Sequence, residues 1–202
     1  LKTEYETAYK VSIFSDYNVL MQYAERFGSY LRGLVQEYPH DVDVVCALAT
    51  VEQVLRHEEI SIQLLEDFLE TYSDELNDTD KARIYTNLAF YYNDERHIKE
   101  YDYLSAAVKL NSPYIETYSG LALYHFSSYE DSESIEALTK SLQAFEKGVS
   151  VSNDYEISYG HAACLFELKE YEKAKTIFEQ LLPNYPNRMR LLLGIAYCDV
   201  YL

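Results

Sequence analysis

Five histidines, three cysteines and several acidic clusters are the residues from which chemistry could be built. His40 follows a helix stop, His57 and His97 sit near helix junctions, and His125 and His161 fall inside predicted helices. None belongs to a His-x-x-x-His, HExxH or Cys/His set with the spacing of a zinc site. The acids cluster at Glu66-Asp67-Glu70, at Asp74-Glu75 with Asp78 and Asp80, and at Glu130-Asp131 with Glu133 and Glu136. A calcium loop needs alternating acids, a turn glycine and a late Glu, and Asn77-Asp78-Thr79-Asp80 lacks the glycine. These acids read as solvated helix faces and first turns, where they suit the helix dipole. No GxSxG, Walker loop or GxGxxG is present, and six glycines leave little material for a phosphate-cradling loop. Cys46, Cys164 and Cys198 form an odd set without a CxxC pair, as expected of free buried thiols in a reducing compartment. The expectation is a chain with no catalytic residue, no metal and no cofactor.

Charge narrows the partners. The chain carries 17 Lys and Arg against 34 Asp and Glu, a net charge of −17. Its densest basic stretches, Lys81-Ala82-Arg83 and Lys169 to Lys175, are flanked by acids. Nucleic-acid phosphate and anionic lipid are therefore disfavoured as direct partners. The 22 tyrosines, with no Trp, stand at helical spacings that suit packing rather than base stacking. No run of about 18 apolar residues and no basic-then-apolar leader occurs, so a cytoplasmic protein is expected. The chain opens on Leu1 and stops at Leu202 within a predicted helix, which reads as a fragment of a longer protein.

The elements that must position any site are helices. Ten Gly and Pro residues among 202 are too few for a sandwich or barrel, which reverses every 8–12 residues or so. Helices are placed near 3–15, 18–37, 42–56, 59–76, 79–94, 97–110, 113–127, 134–150, 155–167, 170–183 and 187–202. Asp41 caps one start, and Pro113 suits the first turn of another.

These helices repeat. Ala174, Phe178 and Leu181 share one face, and Asn184-Tyr185-Pro186 stops their helix. A step back of 33 residues meets Ser141, Phe145 and Gly148; a further 40 meets Tyr101, Ser105 and Val108, with Pro113 closing. Two steps of 37 reach Leu64, Phe68 and Thr71, then Phe27, Leu31 and Leu34, with Pro39 closing. Each such helix follows another that carries a small residue where two helices cross closely: Ala89 after Leu88, Ala122 after Leu121, Ala162 after His161, and Gly194 after Leu193. The stretch Ser127 to Ser134 is read as a loop longer than the repeat allows.

The pattern resembles the tetratricopeptide-repeat (TPR) family, whose units read Leu-Gly/Ala-x-x-Tyr in a first helix and Ala-x-x-x-Phe-x-x-Ala with a closing Pro in a second. Ala162, Tyr171, Ala174, Phe178 and Pro186 carry the match best, then Leu88, Ala89, Tyr92 and Pro113. The resemblance implies an all-α fold, a right-handed α-α superhelical solenoid of TPR-like helix pairs. It would span residues 1–202 as a single array, with degenerate repeats over 1–78 and clearer ones over 79–202.

The same resemblance places first helices on the concave surface. Their shared-face stripes are Arg83, Thr86, Phe90, Asn93 and Asp94; Glu116, Ser119, Leu123 and Phe126; and Glu156, Tyr159, Ala163, Phe166 and Glu167. This face joins aromatic surface to carboxylates and carries one cation, Arg83, so a segment with apolar anchors and Lys or Arg is its complement. Some members of the family clamp chaperone carboxylates with Lys, Asn and Arg. Only Arg83 and Asn87 match that set here, and acids stand where cations are required. The expected function is a non-catalytic scaffold for a protein or peptide. Two alternatives are a peptide-sensing domain like those of some bacterial transcriptional regulators, and the regulatory arm of an enzyme whose catalytic module lies elsewhere.

Overall fold

The structure is a computed structural model, and it describes residues 17–92 and 97–202. Its described helices are α1 (Tyr17–Glu37), α2 (Val42–Val54), α3 (Glu58–Tyr72), α4 (Asp78–Tyr91), α5 (His97–Lys109), α6 (Ile115–Ser132), α7 (Ile135–Val151), α8 (Tyr155–Glu167), α9 (Tyr171–Leu181) and α10 (Met189–Tyr201). A 3-10 turn, Ser73–Glu75, ends what the sequence reads as one helix over 59–76. The helix expected near 3–15 lies outside the described residues.

Side-chain chemistry fixes many of the ends. Asp41 caps α2 as expected, accepting from the amides of Asp43 at 2.9 Å and Val44 at 3.1 Å. Asn77 caps α4 through the Asp80 amide at 2.9 Å, and Asp154 caps α8 through the Glu156 amide at 2.8 Å. Pro113 stands before α6 rather than in its first turn, because Tyr114 takes the capping position. With so few glycines, Arg56, Asn111, Glu133 and Lys169 adopt left-handed backbone angles just after α2, α5, α6 and α8. For a side-chain-bearing residue this conformation costs about 1 kcal/mol.

The helices pack as pairs, α2 with α3, α4 with α5, α6 with α7 and α8 with α9, and each pair rests on the helix that follows it. First helices also touch across pairs, α2 with α4, α4 with α6 and α8 with α10. Such contacts bring the first helices closer together than the second ones and place them on the inner side of the curve. The core is correspondingly segmented. One cluster joins Val45 and Ala49 of α2, Leu65 and Phe68 of α3 and Ile84 and Leu88 of α4. The next joins Tyr118 and Ala122, Leu138 and Phe145, then Ile157 and Cys164. Another joins Ala162, Ala174 and Phe178 to Leu191 and Cys198. Burying each of these leucines contributes roughly 2 kcal/mol. The small residues read from the repeat are where helices meet: Ala89, Ala122, Ala162 and Ala174 are all buried.

Three local readings are corrected. Ser127 to Ser134 is not a loop; α6 runs on to Ser132, with no Gly or Pro to stop it. Ser128 Oγ donates to the Tyr124 carbonyl at 3.0 Å and Ser132 Oγ to that of Ser128, satisfying these hydroxyls within the helix. On α5 the buried positions are Leu104 and Ala107, not Tyr101 and Ser105, because Leu104 fills the space beside Gly120. On α10 the buried residues are Leu191 and Cys198, which pack back on Phe178 as Ile157 and Cys164 of α8 pack back on Phe145. Ala196 therefore takes the slot of Ala162 and Ile195 that of His161, and Leu193 and Tyr197 are exposed.

Candidate functional site

The inner face is built from α2, α4, α6, α8 and α10, and its residues differ in how free they are. On α4, Arg83 is ion-paired with Asp43 of α2. Thr86 is a correction: it is buried, donates to the Ala82 carbonyl at 2.8 Å and shares a hydrogen bond with Thr117 Oγ1 at 2.6 Å. Thr117 in turn meets Ser112 Oγ at 2.7 Å, so a chain of three hydroxyls seals the α4–α6 contact instead of facing a ligand. Phe90 is 42% exposed. Asn93 and Asp94 lie outside the described residues.

Glu116 on α6 is exposed, and Ser119 Oγ turns back to the Glu116 carbonyl at 3.1 Å. Leu123 is 57% exposed, on the helix that packs beside α4 and its exposed Phe90. Phe126 is half-buried edge-on to Tyr129, 5.9 Å between ring centres. On α8, Tyr159 lies against Tyr155 and Phe178 at 5.9 and 5.4 Å, and Ala163 is half-buried. Phe166 is packed by Tyr171, Tyr197 and Tyr201 at 5.2, 6.4 and 5.8 Å. Glu167 is exposed and accepts a long hydrogen bond from Tyr129 at 3.4 Å.

The structure adds residues that the stripes omit. Arg190 of α10 reaches Glu156 at 3.7 Å and stands 5.9 Å from the Tyr159 ring centre. Arg188 stands 4.9 Å from the ring centre of Tyr155. Positive charge therefore gathers at the α8–α10 end, and Arg83 is not the only cation of this face. Continuing the stripe onto the last helix is the signal that finds Arg190. Tyr129, Tyr197 and Tyr201 join the face because α6 is longer than its neighbours and α10 sits two residues out of the register first read, and Tyr171 at the start of α9 packs on Phe166 and Tyr201.

Burial pushes the thiols of Cys46 and Cys164 up to about 11, which keeps them protonated, and Cys164 also meets Ser141 Oγ at 3.2 Å. Among the described residues no group of three or more His, Cys, Asp and Glu is placed to hold a metal ion. Among the same residues no helix is long and apolar enough to cross a membrane.

Residues 156–188 match the tetratricopeptide repeat family. No curated protein matches the chain in sequence. Among solved structures it is similar to YrrB, described as a TPR protein with an unusual peptide-binding site, with a TM-score of 0.66 and 15% identity over 85% of this chain and 82% of that one. It is also similar to TTC0263, a thermophilic TPR protein of Thermus thermophilus, with a TM-score of 0.61 and 14% identity over 98% of both chains. A third likeness is to human IFIT1, solved as a dimer with m7Gppp-AAAA, with a TM-score of 0.59 and 16% identity over 81% of this chain and 41% of that one. At such identities the shared property is the fold. The described helices thus share the fold of tetratricopeptide-repeat solenoids, and residues 156–188 are the segment that matches the repeat in sequence.

Proposed function

We propose that the chain is a non-catalytic scaffold that binds a protein or peptide segment along its inner face. The observation that carries this reading is the run of exposed apolar surface at Phe90 and Leu123, bordered by the exposed carboxylates Glu116 and Glu167 on neighbouring first helices. An extended or helical segment with apolar anchors and Lys or Arg complements it in both shape and charge. A solenoid face of this kind is long and open, whereas catalysis needs a site closed to water. The peptide-binding site described for YrrB lends support through the shared fold. The capped RNA bound by IFIT1 is not carried over, because a chain of net charge −17 repels phosphate. The buried, unpaired cysteines fit a cytoplasmic setting.

Calorimetric titration with synthetic peptides that carry Phe or Leu anchors and interspersed Lys tests the reading. Leu123→Asp and the double variant Glu116→Lys/Glu167→Lys should each weaken binding, and added salt should weaken it further. Affinity unchanged in both variants would overturn the inner face as the working surface.

A further inference from the structure

The outer side of the solenoid carries a cleft of about 530 Å³ between the second helices α7 and α9, with α8 as its base. Its floor is apolar, formed by Leu142, Leu165 and Ile177. Its polar lining is Glu146, His161, Glu170, Lys173, Thr176 and Gln180. His161 occupies the slot that Leu88 and Leu121 hold in the preceding pairs, so this pair alone among the three puts an imidazole where the others put a leucine. Burial holds His161 below its ordinary value although Glu146 pulls the other way, and the neutral ring adds no cation to the rim. Glu170 is paired with Lys173 at 3.2 Å, whereas Glu146 is exposed across the cleft from them.

We propose that this outer cleft is a second docking site, separate from the inner face, which receives an amphipathic helix of a partner protein and seats one of its Arg or Lys side chains against Glu146. The apolar stem of that side chain lies on Leu142, Leu165 and Ile177, and its head meets the carboxylate, the arrangement that long basic side chains adopt at the edge of apolar surface. Charge complementarity selects the basic partner: among the described residues Glu146 has no ion pair, the cleft's own Lys173 is paired with Glu170, and the chain's net charge is −17. The open side of the cleft selects a helix over a small molecule. Small-ligand pockets cover most of their ligand, but this one is a trough between two helices, suited to a helix laid in a groove.

The test follows backbone amide shifts of the isotopically labelled chain during titration with an acetylated, amidated peptide of Leu and Arg at helical spacing. A scrambled peptide of the same composition is the control. The ordered peptide should shift amides near 142–146, 161–168 and 173–180. Glu146→Lys, a change at an exposed position, should weaken it about tenfold. The inner-face variant Glu116→Lys/Glu167→Lys should leave this affinity unchanged to within about twofold. The proposal is overturned if the ordered peptide does not bind at millimolar concentration, if the scrambled peptide binds equally well, or if Glu146→Lys has no effect. Loss of binding in the inner-face variant alone would also overturn it, while leaving the inner-face function standing.

Discussion

Arg32 of α1 donates to the carboxylate of Glu52 on α2 at 2.6 Å, and Glu52 is almost wholly buried. The other carboxylate oxygen meets His57 Nδ1 at 2.8 Å, just beyond the end of α2. One buried acid thus ties the preceding helix to the turn that starts α3. Arg32→Ala would leave that acid with His57 alone, and it should lower stability by about 1–2 kcal/mol, less than for a fully buried pair because Arg32 is half exposed. Urea denaturation checks the figure. A loss no larger than that of an ordinary surface substitution would show that water replaces the guanidinium without cost.

Two glycines in helices should respond oppositely to alanine. A Cβ at Gly160 would collide with the Phe145 ring, whereas one at Gly33 meets nothing within 4 Å. Gly160→Ala should cost roughly 1–3 kcal/mol through overpacking. Gly33→Ala should gain roughly 0.5–1 kcal/mol by restricting the unfolded chain and favouring helix. Thermal melts of both variants measure the contrast, and equal midpoints would contradict the close approach of α7 and α8.

Acid should loosen the contact among α3, α4 and α5. Burial raises the Glu66 carboxyl, but hydrogen bonds from Tyr92 at 2.7 Å, Tyr103 at 2.8 Å and Lys99 at 3.3 Å outweigh it and hold the group below its ordinary value. A carboxyl depressed in the folded state stabilises it fully above the unfolded value of 4.5, and that contribution is lost as pH falls through the folded value. Glu66→Gln should therefore flatten part of the decline in stability below about pH 4.5 and change nothing in how stability varies above it. Denaturation midpoints collected from pH 3 to 7 give the two slopes.

The link between Arg190 and Glu156 predicts a gain in affinity. Arg190 occupies a carboxylate that a basic peptide on the inner face would otherwise use. Arg190→Ala should tighten such a peptide by about two- to fivefold, since both groups are exposed and the pair is weak. Unchanged affinity would mean that the peptide does not reach the α8–α10 end.

The pair α8–α9 is legible almost residue for residue, because Ala162, Ala174 and Phe178 repeat a pattern that packing itself imposes. The last helix misleads by two positions: Gly194 looks like the counterpart of Ala162, yet it stands against Phe178 as Gly160 stands against Phe145, while Leu191 and Cys198 turn inward. Serines obscure the length of α6, since Ser128 and Ser132 suit turns as well as helices and only their bonds to carbonyls one turn back distinguish the two. Of the inner face, the stripes are visible as spacing. The burial of Thr86 and the reach of Arg190 are not, because each depends on how one helix sits against another from a different pair.

The segmented core has a consequence for how the molecule comes apart. Each of these clusters is shared by one pair and the helix after it, so among the described residues the core joins only neighbouring helices. Such a chain needs few long loop closures and is expected to fold quickly, as proteins dominated by local contacts do. Its coupling along the stack is that of a row of links rather than a single block. Amide exchange should be slowest near the middle helices and faster toward α1 and α10, with denaturation spreading inward from the ends.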